Sequence, residues 1–225
     1  MLEDVIANYN AAVYDTDRAR ALKVVSDAIE GGATPEQIVF DVVIPGLDIM
    51  VKALDEGYDA NLAQHFMTAH IAAEITDRML PLFSAPPETV GRVVIGTAAG
   101  DLHTLGKRIV MGCLKAHMIE VFDLGVNVPA ERFVEEALFR EAEVIGISAM
   151  MVHTARGESG PLRVAKILDE KGLRDRIRLV VGGAPFRYDP DLYRTVGADA
   201  TAGNGVSAAK AIMDCIREVR HGDES

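Results

Sequence analysis

The chain has 225 residues, 49% of them hydrophobic and 25% charged, with a formal net charge of -11 and a pI near 5.0. That balance belongs to an ordinary globular protein with enough chain for one large domain or two small ones. An acidic chain without a Lys/Arg cluster repels phosphate backbones, so no nucleic-acid partner is expected.

Cys113 and Cys215 lie far apart in apolar, helix-like surroundings and form no CxxC. Neither a disulfide framework nor a zinc–thiolate site is expected from them, and they read as buried thiols in a reducing compartment. The N-terminal stretch MLEDVIANYNAAVYD lacks a basic n-region and an apolar h-region. No apolar run approaches the ~20 residues that span a bilayer. A cytoplasmic location without membrane contact is the expectation.

Up to about residue 84 the pattern is helical throughout. A short helix to about Asp15 is followed by a second, with Thr16 or Asp17 as cap and Gly31-Gly32 as stop. Thr34-Pro35-Glu36-Gln37 supplies an N-cap, a proline at the first helical position and a polar residue three on. The apolar series Ile38, Val42, Leu47, Met50, Val51, Leu54 continues this helix, and Pro45-Gly46 predicts a kink or break in it. A fourth helix is predicted from about Ala60 to Phe83. Four helices on tight loops predict an antiparallel bundle over residues 1–84. Residues 85–90, with Pro86-Pro87 inside, read as a linker.

From residue 91 to 225 the pattern changes. Strands are predicted at 92–98, 120–125, 144–150, 178–183 and 198–202, and helices at 104–117, 130–140, 160–171, 189–196 and 205–219. This alternation predicts a flavodoxin-like, doubly wound α/β domain with a five-stranded parallel sheet. Ligands of such sheets bind at the carboxyl ends of the strands, near the switch in strand order.

Gly100-Asp101-Leu102-His103-Thr104-Leu105-Gly106-Lys107 follows the first strand and opens the first helix of this domain. Histidine is a good ligand for a transition metal. An acid two residues earlier can hold its second ring nitrogen, fixing the tautomer. Gly100 and Gly106 permit a sharp turn and close approach of a bulky partner. Taken alone, the segment reads first as a helix start capped by Asp101. As a phosphate loop it lacks the required glycine spacing.

D-x-H-x-x-G resembles the signature of cobalamin-binding domains in methionine synthase, corrinoid methyltransferase proteins and carbon-skeleton mutases. The family's S-x-L element stands here as Ser148-Ala149-Met150, and its G-G element as Gly182-Gly183. The stretches 123–129 (DLGVNVP) and 182–185 (GGAP) are similar to the corrinoid protein subgroup, and the helical bundle ahead of the domain belongs to the same pattern. The resemblance implies a cobalamin or related corrinoid with His103 as lower ligand to cobalt, Asp101 on its second nitrogen and Thr154 continuing the relay. It implies a slot for the nucleotide tail lined by Ser148, Gly182 and Gly183. Leu102, Thr104, Gly106, Met150 and Gly203 would also meet the cofactor, with the bundle covering the corrin's upper face.

The resemblance further implies a methyl carrier, not catalytic alone, that cycles through methylcobalamin. A substrate-specific methyltransferase would load it, a second methyltransferase would unload it toward tetrahydrofolate or a thiol, and a reductive activase would restore it. The chain departs from the family pattern at Thr104, Leu105, Met150, Val152 and His153, and Asn127 stands where Asp is frequent. Alternatives are an adenosylcobalamin mutase subunit, a cobalamin sensor or storage protein, and a flavodoxin-like domain without a corrinoid. His65, His70, His117 and His221 read as structural or surface residues, whereas His153 lies at the functional end of the sheet.

Overall fold

A computed structural model describes residues 2–55, 62–85 and 89–222. The chain divides into two units, Met1–Glu88 with Gly112–Met118, and Thr89–Met111 with Ile119–Ser225. Residues 86–88 of the expected linker lie outside the described residues.

The first unit is helical. Helix α1 (Leu2–Tyr14) turns into α2 (Arg18–Glu30), where the Asp17 carboxylate accepts the Arg20 N–H at 3.0 Å and Gly31 ends the helix. Thr34 and Gln37 cap each other's backbone at the start of the short α3 (Pro35–Gln37). Reciprocal capping of this kind satisfies two of the free N–H groups at a helix start.

The chain then passes through a π-helical turn (Ile38–Val43) straight into α4 (Ile44–Asp55). The break expected at Pro45-Gly46 therefore takes another form. The Ile44 N–H reaches back five residues to the Val39 carbonyl, so the helix widens just ahead of the proline that has no N–H to give. Gly46 lets α4 close on α1, because a Cβ there would lie 2.7 Å from Asn10 Oδ1 and 2.8 Å from the Tyr9 ring. The last rod, α5 (Leu62–Met79), buries Ile71, Ala72, Ile75 and Met79 at helical spacing. The four rods make the antiparallel bundle that the pattern predicted.

From Arg92 onward strands and helices alternate: β1 (Arg92–Thr97), α6 (Leu105–Ala116), β2 (Glu120–Asp123), α7 (Ala130–Arg140), β3 (Val144–Ser148), α8 (Val152–Arg156), α9 (Pro161–Glu170), β4 (Arg178–Gly182), α10 (Ala184–Tyr188), α11 (Leu192–Thr195), β5 (Ala200–Ala202) and α12 (Gly205–Gly222). The sheet is wholly parallel, in the order β2-β1-β3-β4-β5. This is the flavodoxin-like order, with its switch point between β1 and β3. The register sets Ile95 beside Gly146, Gly146 beside Val180 and Val180 beside Ala200.

The central strands are buried along nearly their whole length, as a sheet covered on both faces requires. On one face Phe133 of α7 lies over Gly96, where a Cβ would sit 2.7 Å from the ring. The core here collects Val94, Ile145, Ile147, Leu168, Leu179 and Val181. Burial pushes the thiols of Cys113 and Cys215 up to about 12, so both stay protonated and inert.

Two short helices, α8 and α10, were not expected. Each is about one turn long and begins within a few residues of a strand end, too short to show a helical period. The helix expected over 189–196 shrinks to Leu192–Thr195. Pro190 disfavours a helical Asp189, whose φ and ψ are -123° and 90°.

Candidate functional site

The loop Ala98–Thr104 leaves β1 at the switch point. Ala98 N–H donates to the Ser148 carbonyl at 2.9 Å, and Asp101 N–H donates back to the Ala98 carbonyl at 3.0 Å. Gly100 makes the turn with φ +80°, a conformation that costs a glycine nothing. These bonds put the Asp101 side chain inward, fully buried.

The Asp101 carboxylate then collects four donors. Its Oδ1 takes the His103 backbone N–H at 3.0 Å and the His103 ring nitrogen Nδ1 at 2.7 Å. Its Oδ2 takes the Met150 N–H at 2.6 Å and faces the Thr154 hydroxyl at 3.2 Å. That hydroxyl has one proton and two acceptors, since the Met151 carbonyl lies 2.9 Å away. Burial by itself would raise the Asp101 carboxyl. The backbone N–H groups of His103 and Met150, with the His103 ring and the Thr154 hydroxyl, outweigh it and hold the group at about 2.

A carboxylate without a proton can only accept, so His103 Nδ1 carries the hydrogen and donates it. In the neutral ring this tautomer leaves the lone pair on Nε2. The His103 side chain is 58% exposed, against 0% for its anchor. Thr97 Oγ1 donates to the His103 carbonyl at 3.0 Å and fixes the backbone from the other side. The arrangement is a tethered imidazole with a basic nitrogen presented outward at the carboxyl edge of the sheet.

The remaining residues expected at the site fall around it. Leu102 is 70% exposed beside the histidine, and Leu105, Met150 and Val152 are also exposed apolar groups near the ends of β1 and β3. Thr104 lies just before α6, its carbonyl accepting the Arg108 N–H at 3.0 Å. Gly106 stands in the first turn of α6 with open space where a Cβ would be. Ser148 ends β3 next to Gly182. A Cβ on Gly182 or Gly203 would meet nothing within 4 Å. Gly183 is different in kind: its φ is +126°, and a Cβ would lie 1.9 Å from the Ala149 carbonyl oxygen. The strand ends of β3 and β4 can approach only if that residue is glycine.

Sequence reasoning quoted Lys107 and Asn127 but assigned them no part in the site. Lys107 is 3% exposed; its ammonium pairs with Asp123 and donates to the Gly125 carbonyl at 2.7 Å. Asn127 Oδ1 accepts the Gly100 N–H at 2.7 Å. The usable signal for Lys107 was a cation in the first helical turn, four residues beyond the histidine, where the helix dipole does not favour it. Such a position implies an acidic partner. His153, one residue before Thr154, is exposed, and His70 stacks on Phe66 with centroids 6.1 Å apart.

Among the described residues no group of three or more His, Cys, Asp or Glu side chains is arranged to hold a metal ion. A single exposed histidine of this kind suits a metal that brings the rest of its coordination with it, as a metal inside a macrocycle does. The open positions at Gly106, Gly182 and Gly203 and the apolar rim of Leu102, Leu105, Met150 and Val152 fit a flat apolar ring with a polar appendage. The residues present suit a corrinoid.

These features define a B12-binding protein, and the B12 binding domain family matches residues 91–213. Trimethylamine corrinoid protein 1 of Methanosarcina acetivorans is 29% identical over 221 residues, covering 94% of this chain and 98% of that one. The dimethylamine corrinoid protein of Methanosarcina barkeri is 33% identical over 214 residues, covering 93% and 96%. The chain belongs to the B12-binding family and, within it, to the corrinoid proteins of methyltransferase systems.

Among solved structures, the methanol:cobalamin methyltransferase complex of Methanosarcina barkeri aligns with a TM-score of 0.76 at 25% identity, over 97% of this chain and 84% of that one. A cobalamin-binding protein from Desulfitobacterium hafniense DCB-2 shares the fold, with a TM-score of 0.74 at 24% identity over 95% and 98%. No described helix is long and apolar enough to cross a membrane.

Proposed function

We propose that this chain carries a methyl group on a bound corrinoid, receiving it from one methyltransferase and surrendering it to another. The observation that carries the reading is the His103 ring, held through Nδ1 at 2.7 Å by a fully buried carboxylate while the ring itself is exposed. When bound, the corrinoid would supply a cobalt centre on which the methyl group is carried. His103 Nε2 would be the lower ligand to cobalt, and Asp101 with Thr154 would keep the imidazole in the tautomer that can coordinate. Leu102, Leu105, Met150 and Val152 would exclude water from the ring's edge. Ser148, Gly182, Gly183 and Gly203 would border the slot for the nucleotide tail, with Thr104 and Gly106 at its helix side.

The names of the relatives favour a methylated amine as donor. The acceptor side, tetrahydrofolate or a thiol with its own methyltransferase, and a reductive activase complete the proposal. The chemistry resides in the cofactor and the partners, while this chain supplies position and electrostatics.

The test has two arms. Visible spectra of the protein loaded with cobalamin, beside His103→Ala, should show a histidine-ligated form that the variant lacks. Methyl transfer from dimethylamine or trimethylamine should then require an added methyltransferase. Identical spectra in the two proteins would remove His103 as ligand, and demethylation of the donor by the chain alone would refute the carrier role.

A further inference from the structure

The segment Leu124–Pro129 between β2 and α7 is bound at several points to the histidine loop and to the ends of β1 and α6 that flank it. Thr97 N–H donates to the Gly125 carbonyl, and Val128 N–H donates to the Thr97 carbonyl, both at 3.0 Å. The Lys107 ammonium donates to the same Gly125 carbonyl. At the tip, Asn127 holds the turn from both sides. Its Oδ1 accepts the Gly100 N–H at 2.7 Å, and its own N–H donates to the Asp101 carbonyl at 3.0 Å. Asn127 does this from a left-handed backbone, φ +52°, which asparagine, aspartate and glycine tolerate best.

We propose that Asn127 is a positioning residue that clasps the loop carrying Asp101 and His103 and so strengthens coordination by the histidine; this rests on the reading of His103 as the metal ligand. Gly100 and Asp101 immediately precede the imidazole in the chain. Gly100 has no side chain to anchor it, so its N–H is where the turn can be gripped. With the acceptor gone, Gly100 would bond water instead and the turn would sample more conformations. The buried carboxylate would then meet the ring in fewer of them, at an entropic cost to any ligand the ring binds.

The variants separate side chain from backbone. Asn127→Gly keeps the left-handed conformation and removes the acceptor, whereas Asn127→Asp keeps both. Cobalamin dissociation constants are measured for full-length wild type, both variants, His103→Ala and His103→Ala/Asn127→Gly. Loss of one ordinary hydrogen bond predicts about a fivefold weaker complex for Asn127→Gly, with Asn127→Asp restored to near wild type. In the His103→Ala background the same change should alter binding by less than about twofold, because coupled residues are not additive. An equal effect in both backgrounds, or no effect of Asn127→Gly, would overturn the clasp.

Amide exchange at Gly100 in the corrinoid-free protein is the second readout. It should be about fivefold faster in Asn127→Gly, and an unchanged rate would also overturn the proposal. A His103→Ala protein that binds and absorbs like wild type would instead remove the ligand assignment, so the two failures are distinct.

Discussion

Asp101→Asn is the sharpest perturbation available. The carboxylate accepts from the His103 N–H, the His103 Nδ1–H, the Met150 N–H and, in part, the Thr154 hydroxyl. Asparagine has one oxygen and one NH2 group, so two of these positions must face a donor. If the NH2 takes the Oδ2 place, Thr154 can rotate and accept, but the Met150 N–H is stranded. If it takes the Oδ1 place, the histidine can accept on Nδ1 only by moving its proton to Nε2, the nitrogen proposed to hold the metal. Hydrogen bonds to a charged group contribute about 1.5–3 kcal/mol each, and a stranded buried N–H costs about 1–3 kcal/mol. The sum expected is about 3 kcal/mol of lost stability, or roughly 10 °C in Tm for a domain of this size. Loss of an outer-shell partner should weaken corrinoid binding about 10–100-fold. Thermal unfolding of the corrinoid-free protein followed by a cobalamin titration reads both. A variant within about 1 kcal/mol of wild type, binding cobalamin within about threefold, would refute the account of the carboxylate. Thr154→Val, which removes only the shared hydroxyl, should cost about 1 kcal/mol.

The glycines of the strand ends predict opposite outcomes. Gly183→Ala forces a Cβ against the Ala149 carbonyl and should leave little folded domain by circular dichroism. Gly182→Leu meets no protein atom at Cβ, so it should keep the wild-type Tm while weakening cobalamin binding at least about tenfold; unchanged affinity would show that the tail does not run there. Lys107→Met removes the partner of a half-exposed Asp123, and urea unfolding should report a loss of about 2 kcal/mol, below the cost of a fully buried pair. In the helical unit, the Ser84 N–H at 2.6 Å and hydroxyl at 2.7 Å lower the Glu36 carboxyl from 4.5 to about 2. Its stabilisation is present above pH 4.5 and is lost as pH falls toward 2. Glu36→Gln should flatten that part of the stability–pH curve.

The fold was largely legible because its signals are long ones. Five strand-like runs, three of them rich in β-branched residues, alternating with helical stretches leave few arrangements other than a parallel sheet, and α7 emerges over the expected residues 130–140. Short-range competition was not legible. The π-helical turn before Pro45 depends on which carbonyl an N–H chooses, and α8 and α10 are one turn each. At the site, the residues expected on resemblance divide by kind. Asp101, His103, Thr154 and the backbone of Met150 meet in one bonded cluster, while the glycines contribute only absent side chains. Asn127 and Lys107 were given no role because theirs depend on a loop more than 15 residues away in sequence folding back beside the histidine. No periodicity reports such a contact.

The lone imidazole has a consequence for traffic of the cofactor. Zinc domains that hold a metal with four protein side chains gain their fold from it, so losing the metal means unfolding. Here one protein bond, from His103, would join a metal that arrives already held by its macrocycle, and the Asp101 cluster is complete without it. On the proposed reading the receptacle would stand ready before loading, and release of the metal would break one protein bond instead of dismantling a cage. A protein built in this way would be suited to losing and regaining its cofactor without unfolding.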